Sequence, residues 1–297
     1  MSDEKSHKKR KQSHNGSIAI VYFSATGVTT SYAEHIRNNL LEHGCSVAIF
    51  DVTNYEARIV SINLKRYNHI IFGFPVYADF APSVINDWLP TLDGKGKRCT
   101  IFLTYGGRTT GYAHFHTKLL LELAGFKVLL TAEFLGRHSF NQAGWSILPD
   151  RPNQADLAVA SEYALLALDL FTQDNPPTLK LQKPFGYSRA VANLTSEKDW
   201  EDFSWPQPHR TTEICSMCFL CEEECPTQAF GAVNGLPDCN ACILCMHCVW
   251  VCPEQVIGAF QREKVSNQEF LDYCHLDEVM LAEKKSKIIK EHWQAAA

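Results

Sequence analysis

From Ile18 onward, short apolar runs alternate with segments whose apolar residues recur at helical spacing. Runs at Ile18 to Phe23, Ser46 to Phe50, Ile70 to Phe74, Thr100 to Thr104 and Val128 to Phe134 predict five strands. Between the first two, Tyr32, Ile36 and Leu40 mark one face of a helix that Gly44 stops. Near-continuous apolar strands separated by amphipathic helices predict an α/β fold, a doubly wound five-stranded parallel sheet covered on both faces.

Three turns follow strands and would meet at the carboxyl edge of such a sheet, where ligands bind in this architecture. The first is Ser24-Ala-Thr26-Gly27-Val28-Thr29-Thr30, at the start of the first helix. There, free backbone N–H groups, the positive end of the helix dipole and four hydroxyls could hold a phosphate without an arginine, although an ordinary capped turn has the same composition. The second is Gly73-Phe74-Pro75-Val76-Tyr77 and the third Thr104-Tyr105-Gly106-Gly107-Arg108. Arg137-His138-Ser139-Phe140, after the fifth strand, lies where it could approach a ligand's edge.

The pattern changes after a leucine-rich helix that starts near Arg151 and ends at Asn175-Pro176-Pro177. Residues 175–211 hold several prolines without periodicity and read as a connector, with Trp200, Phe203 and Trp205 as packing anchors. The expected partition is a polar tail over 1–17, an α/β unit over 18–174, the connector, a small α+β unit over 212–260, and a helix within 261–297 opened by the capping box Ser266 to Glu269.

With 297 residues, 45% hydrophobic content and a formal net charge of −5, the chain can bury a sizeable core. No apolar run approaches the ~20 residues of a membrane span, and the start lacks the apolar core of a secretory signal, which points to the reducing cytoplasm. The run Lys8-Lys9-Arg10-Lys11 has no interleaved aromatics and is read as a solvated tail, so no nucleic-acid partner is expected.

Eight of the twelve cysteines change the picture. They form two runs, Cys215-x-x-Cys218-x-x-Cys221-x-x-x-Cys225-Pro226 and Cys242-x-x-Cys245-x-x-Cys248-x-x-x-Cys252-Pro253, offset by 27 residues. This spacing matches the ligand sets of two [4Fe-4S] clusters, in which the fourth cysteine of each run ligates the other cluster. One cluster would take Cys215, Cys218, Cys221 and Cys252, and the other Cys242, Cys245, Cys248 and Cys225. Zinc is the rival reading, but its sites usually pair two Cys-x-x-Cys knuckles, and so dense a set in a long chain also argues against disulfides. Cys239 would extend an alternative frame, yet only Cys242 to Cys252 ends in Cys-x-x-x-Cys-Pro. Cys45 and Cys99 adjoin buried strands and read as small core hydrophobes, while Cys274 has no evident role.

The doubled run resembles the bacterial two-cluster ferredoxins, and residues 18 to 171 resemble the flavodoxin family. The flavodoxin resemblance implies FMN, its phosphate on Ser24, Thr26, Gly27, Thr29 and Thr30, and its ring between Pro75, Val76 and Tyr77 on one loop and Thr104, Tyr105, Gly106 and Gly107 on another. Val28 departs from the asparagine often found there. The order of the two modules resembles the EFR1-family ferredoxins of anaerobic microorganisms, with Thr104-Tyr105-Gly106, His138-Ser139-Phe140 and Arg151-Pro152 among the shared features.

These resemblances imply an electron-transfer iron-sulfur flavoprotein that passes low-potential electrons between partner proteins, a donor reductase or ferredoxin and an acceptor enzyme. Two alternatives remain: a reductase of a quinone or similar small molecule at the flavin, and a redox or iron sensor. No Gly-x-Gly-x-x-Gly fingerprint follows a strand, so electrons are expected from another protein rather than from a nicotinamide. A homodimer is compatible with the sequence.

Overall fold

The computed structural model describes residues 16–60, 62–194, 207–259, 266–290 and 293–294. The expected anchors Trp200, Phe203 and Trp205 lie outside them.

Strands β1 (Ser17–Tyr22), β2 (Ser46–Asp51), β3 (His69–Pro75), β4 (Arg98–Tyr105) and β5 (Lys127–Leu135) pair in parallel in the order 2-1-3-4-5. This is the flavodoxin-like doubly wound order, with its switch point between β1 and β3. Helices α1 (Val28–Glu42), α2 (Tyr55–Ile59), α3 (Ser83–Trp88), α4 (Ala113–Leu123) and α5 (Gln154–Thr172) connect and cover the strands. Ile70, Phe72, Ile101 and Leu103 are fully buried because both faces of the sheet are covered. On α1, Tyr32, Ile36 and Leu40 face a core shared with Phe134, Tyr163 and Ala167.

Several short elements follow. They are β6 (Thr178–Leu179), α6 (Tyr187–Leu194), β7 (His209–Arg210), α7 (Leu220–Glu223), β8 (Phe230–Gly231), β9 (Leu236–Pro237), α8 (His247–Val251) and β10 (Ile257–Gly258). Strand β7 pairs with β10, and β8 with β9.

The C-terminal region differs from the single helix expected of it. It forms α9 (Asn267–Tyr273) and α10 (Glu278–Glu283), then β11 (Lys287–Ile289) and β12 (Trp293–Gln294). The capping box at Ser266 and Glu269 opens α9, and β12 pairs with β6. Strand β11 adds antiparallel to β5, so the five parallel strands gain a sixth. Three residues are too few to carry a periodic signal. Their place is fixed by Ser286, whose Oγ donates to buried Asp156 at 2.7 Å and accepts the Leu135 N–H at 2.9 Å. Among the described residues no helix is long and apolar enough to cross a membrane.

Candidate functional site

The turn between β1 and α1 gathers backbone N–H groups and hydroxyls at the start of a helix. Gly27 sits at φ +80°, a conformation that glycine adopts without a Cβ penalty. The first N–H groups of α1 have no intrahelical acceptor. Ser24 Oγ accepts the Thr30 N–H at 3.1 Å, Thr29 and Thr104 share a hydroxyl hydrogen bond of 2.8 Å, and Thr53 Oγ accepts the Ser24 N–H at 2.8 Å. The loop is therefore braced from β4 and from the segment after β2.

A cavity of about 480 Å³ opens beside it, within the size range of small-molecule and cofactor sites. The structure brings to its wall Ser24, Thr26, Thr29, Pro75, Val76, Tyr77, Thr104, Tyr105 and Gly106 from three separate loops. Of the other expected contacts, Gly27 and Thr30 lie in the first turn, and Gly107, at φ +95°, lies in the third loop. A Cβ on Gly106 would collide with the His138 ring, and one on Gly107 would lie 2.6 Å from Leu281 Cδ2.

His138 lies on this wall, packed edge-on against Phe140 and Phe270. Burial pulls it down to about 4. Its Nδ1 accepts the Phe140 N–H at 3.1 Å, so the neutral ring carries its proton on Nε2. Burial, with a smaller effect of Cys245, holds Tyr77 well above the usual phenol range. Arg108, also on the wall, pairs with Asp79 at 3.4 Å.

Sequence reasoning does not place the far wall. Ile243 and Leu244 reach it from between Cys242 and Cys245, and Phe270, Cys274 and His275 from the C-terminal region. No periodic or motif signal could have found these contacts. Arg137 also lines the cavity. It does so with His138, Ser139 and Phe140, the segment after β5 that the sequence placed near a ligand's edge.

The two cysteine runs share a backbone as well as a spacing. Met217, Phe219 and Gln228 are left-handed at φ 55°, 63° and 55°. Leu244, Met246 and Gln255, each 27 residues on, are at 53°, 62° and 54°. Non-glycine residues rarely adopt this conformation, so its threefold recurrence at matched positions marks two copies of one loop.

The fourth cysteines cross over. Cys215, Cys218, Cys221 and Cys252 line one small cavity. Burial, with Cys218 and Cys252 adding to it, pushes Cys221 up to about 11. Burial, then Cys242 and Cys225, pushes Cys245 up to about 12, and Cys248 is raised by burial and the same neighbours. Buried thiols drawn together in this way suit a cationic metal centre, which stabilises the thiolate that burial disfavours. Among the described residues no group of three or more His, Cys, Asp or Glu has the geometry to hold a single metal ion.

Cys45 and Cys99 are buried in the α/β core, and exposed Cys239 donates to Gln207 Oε1 at 3.3 Å.

Several contacts join the cysteine-bearing segments to the α/β unit. His247 Nδ1 donates to the Ala25 carbonyl at 2.7 Å, and the Trp250 ring comes within 3.2 Å of where a Cβ on Gly27 would lie. Arg58 donates to the Pro226 carbonyl, and Asn54 Nδ2 to Glu224 at 3.3 Å.

No family model matches the chain, and no curated protein matches it. Solved structures similar to it include an archaeal flavodoxin, at 16% identity and TM-score 0.41, over 53% of this chain and 99% of that one. Oxidised flavodoxin 2 from Bacillus cereus aligns at 19% identity and TM-score 0.41, over 52% and 97%. Rubredoxin oxygen:oxidoreductase from Desulfovibrio gigas aligns at 16% identity and TM-score 0.39, over 52% and 36%. These scores are low, and the strand order and the site at its switch point define the class: a flavodoxin-like α/β unit.

Proposed function

We propose that this chain is an electron-transfer iron-sulfur flavoprotein, with FMN in the cavity at the switch point and a [4Fe-4S] cluster on each crossed set of four cysteines. The observation that carries this reading is the shared wall. Ile243 and Leu244 line the same cavity as Thr26, Tyr77 and Tyr105, and they sit between two cysteines of the second run. A flavin held by the three α/β loops would therefore lie against the set Cys225, Cys242, Cys245 and Cys248.

The first set is the more accessible. Cys218 is exposed, whereas Cys225, Cys245 and Cys248 are buried. This ordering supports a chain of centres running from the surface through the first set and the second set to the cavity.

When bound, FMN exchanges one or two electrons and each cluster one, so the pair would link two-electron and one-electron partners. The residues of this chain set the geometry. Ser24, Thr26, Gly27, Thr29 and Thr30 would hold the phosphate; Pro75 to Tyr77 and Thr104 to Gly107 would embrace the ring. Residues 18–174 would form the flavin unit and 212–260 the cluster unit, the order of the EFR1-family ferredoxins, with redox proteins as donor and acceptor.

The test is anaerobic reconstitution with iron, sulfide and FMN, followed by a stepwise reductive titration monitored by absorbance and electron paramagnetic resonance. About eight irons and one FMN per chain, with both kinds of centre reducible, are expected from two cubanes and one flavin. Bound zinc in place of iron, or clusters without flavin, would overturn the reading.

A further inference from the structure

The anion site facing α1 contains a cation that the motif of the first turn does not supply. Arg137 follows β5 and lines the cavity with Thr26, Val28 and Thr29. Gly136 lets this segment approach, since a Cβ there would collide with Val28. The guanidinium Nη2 makes a long contact of 3.4 Å to the Thr26 carbonyl, and Nε is buried without a hydrogen-bond partner. Among the described residues no carboxylate pairs with Arg137.

A guanidinium offers five donors in a planar fork matched to phosphate or carboxylate, and a partly buried cation without an anion is costly. This one is also held in place. Its Cζ lies 5.2 Å from the centre of the Trp250 ring, and that ring covers Gly27. Trp250 stands between Cys248 and Cys252. The cation is thus positioned beside the phosphate loop by a side chain from the cysteine-bearing segment.

We infer that Arg137 is a phosphate-binding residue of the flavin site, one that makes the site select FMN over riboflavin. The inference rests on the flavin reading above and adds a residue and a selectivity to it. The turn's N–H groups and hydroxyls bind the phosphate oxygens from one side, and Arg137 adds a full positive charge from the other.

Equilibrium dialysis of the intact chain, reconstituted anaerobically with iron and sulfide but without flavin, against FMN and against riboflavin tests this, with wild type, Arg137→Gln and Arg137→Lys compared. Arg137→Gln should weaken FMN about 10- to 100-fold, as for the loss of one charged hydrogen-bonding group, and change riboflavin by less than about twofold. Arg137→Lys should recover part of the loss. The ratio of the two affinities is read because it does not depend on the fraction of protein folded, so a less stable variant still reports. Unchanged affinities in Arg137→Gln, or a parallel loss of both ligands, would overturn the inference and leave the flavin reading intact. Wild type that takes up neither ligand would overturn both.

Discussion

His247 donates from Nδ1 to the carbonyl oxygen of Ala25 at 2.7 Å, joining the second cysteine run to the turn that opens α1. Both groups are buried, so neither can turn to water if the other is lost. His247→Ala should therefore cost about 1–3 kcal/mol, the penalty for an unsatisfied buried acceptor together with lost packing. The midpoint of urea unfolding should fall accordingly, and amide exchange should quicken across residues 24–30. Unchanged exchange there would mean that the junction does not hold the turn.

If each crossed set of cysteines holds a cluster, as proposed, the crossing has a direct spectroscopic consequence. Cys225 lies beside Cys242, Cys245 and Cys248, whereas Cys252 shares a cavity with Cys215, Cys218 and Cys221. Cys225→Ser should perturb the paramagnetic signal of the centre nearest the flavin, and Cys252→Ser that of the more exposed centre. If each variant instead altered the cluster of its own run, the crossed assignment would be wrong.

The third loop has no room for added atoms. Gly106→Ala would drive a methyl into the His138 ring, and at Gly107 both the positive φ and Leu281 oppose a side chain. Gly107→Ala should cost about 1–3 kcal/mol of stability and loosen the contact with α10. Thermal unfolding measures the first effect, and protease sensitivity near Leu281 the second.

Glu133 on β5 supplies a pH signature. Burial alone would raise it, but hydrogen bonds from His114 and Thr110 and attraction to His114 and Lys287 hold it down to about 2. A carboxyl depressed from 4.5 stabilises the fold fully above the unfolded value, and that stability is lost as pH falls from about 4.5 towards 2. Glu133→Gln should be less stable than wild type at pH 7, with the gap closing between about pH 4.5 and 2. A gap that stayed constant with pH would show that the carboxylate charge plays no part.

The sequence by itself determined what depends on neighbours along the chain. Strand and helix positions follow from residue spacing, because the faces of a strand repeat every two residues and those of a helix about every 3.6. The parallel sheet followed from runs such as Ile70 to Phe74, too apolar for a one-sided strand. The cysteine loops were legible from a repeat of 27 residues, which reappears in the backbone as matched left-handed residues. Tertiary structure alone decided the contacts between distant segments. Lys287–Ile289 is too short to announce itself, yet its pairing with Glu133, Ala132 and Thr131 extends the sheet. Likewise Leu244, Phe270 and Cys274 close a cavity whose other wall begins at Ser24. Nothing in their local spacing encodes that meeting, because it depends on where packing brings the chain back, as it does when Trp250 settles on Gly27 beneath Arg137.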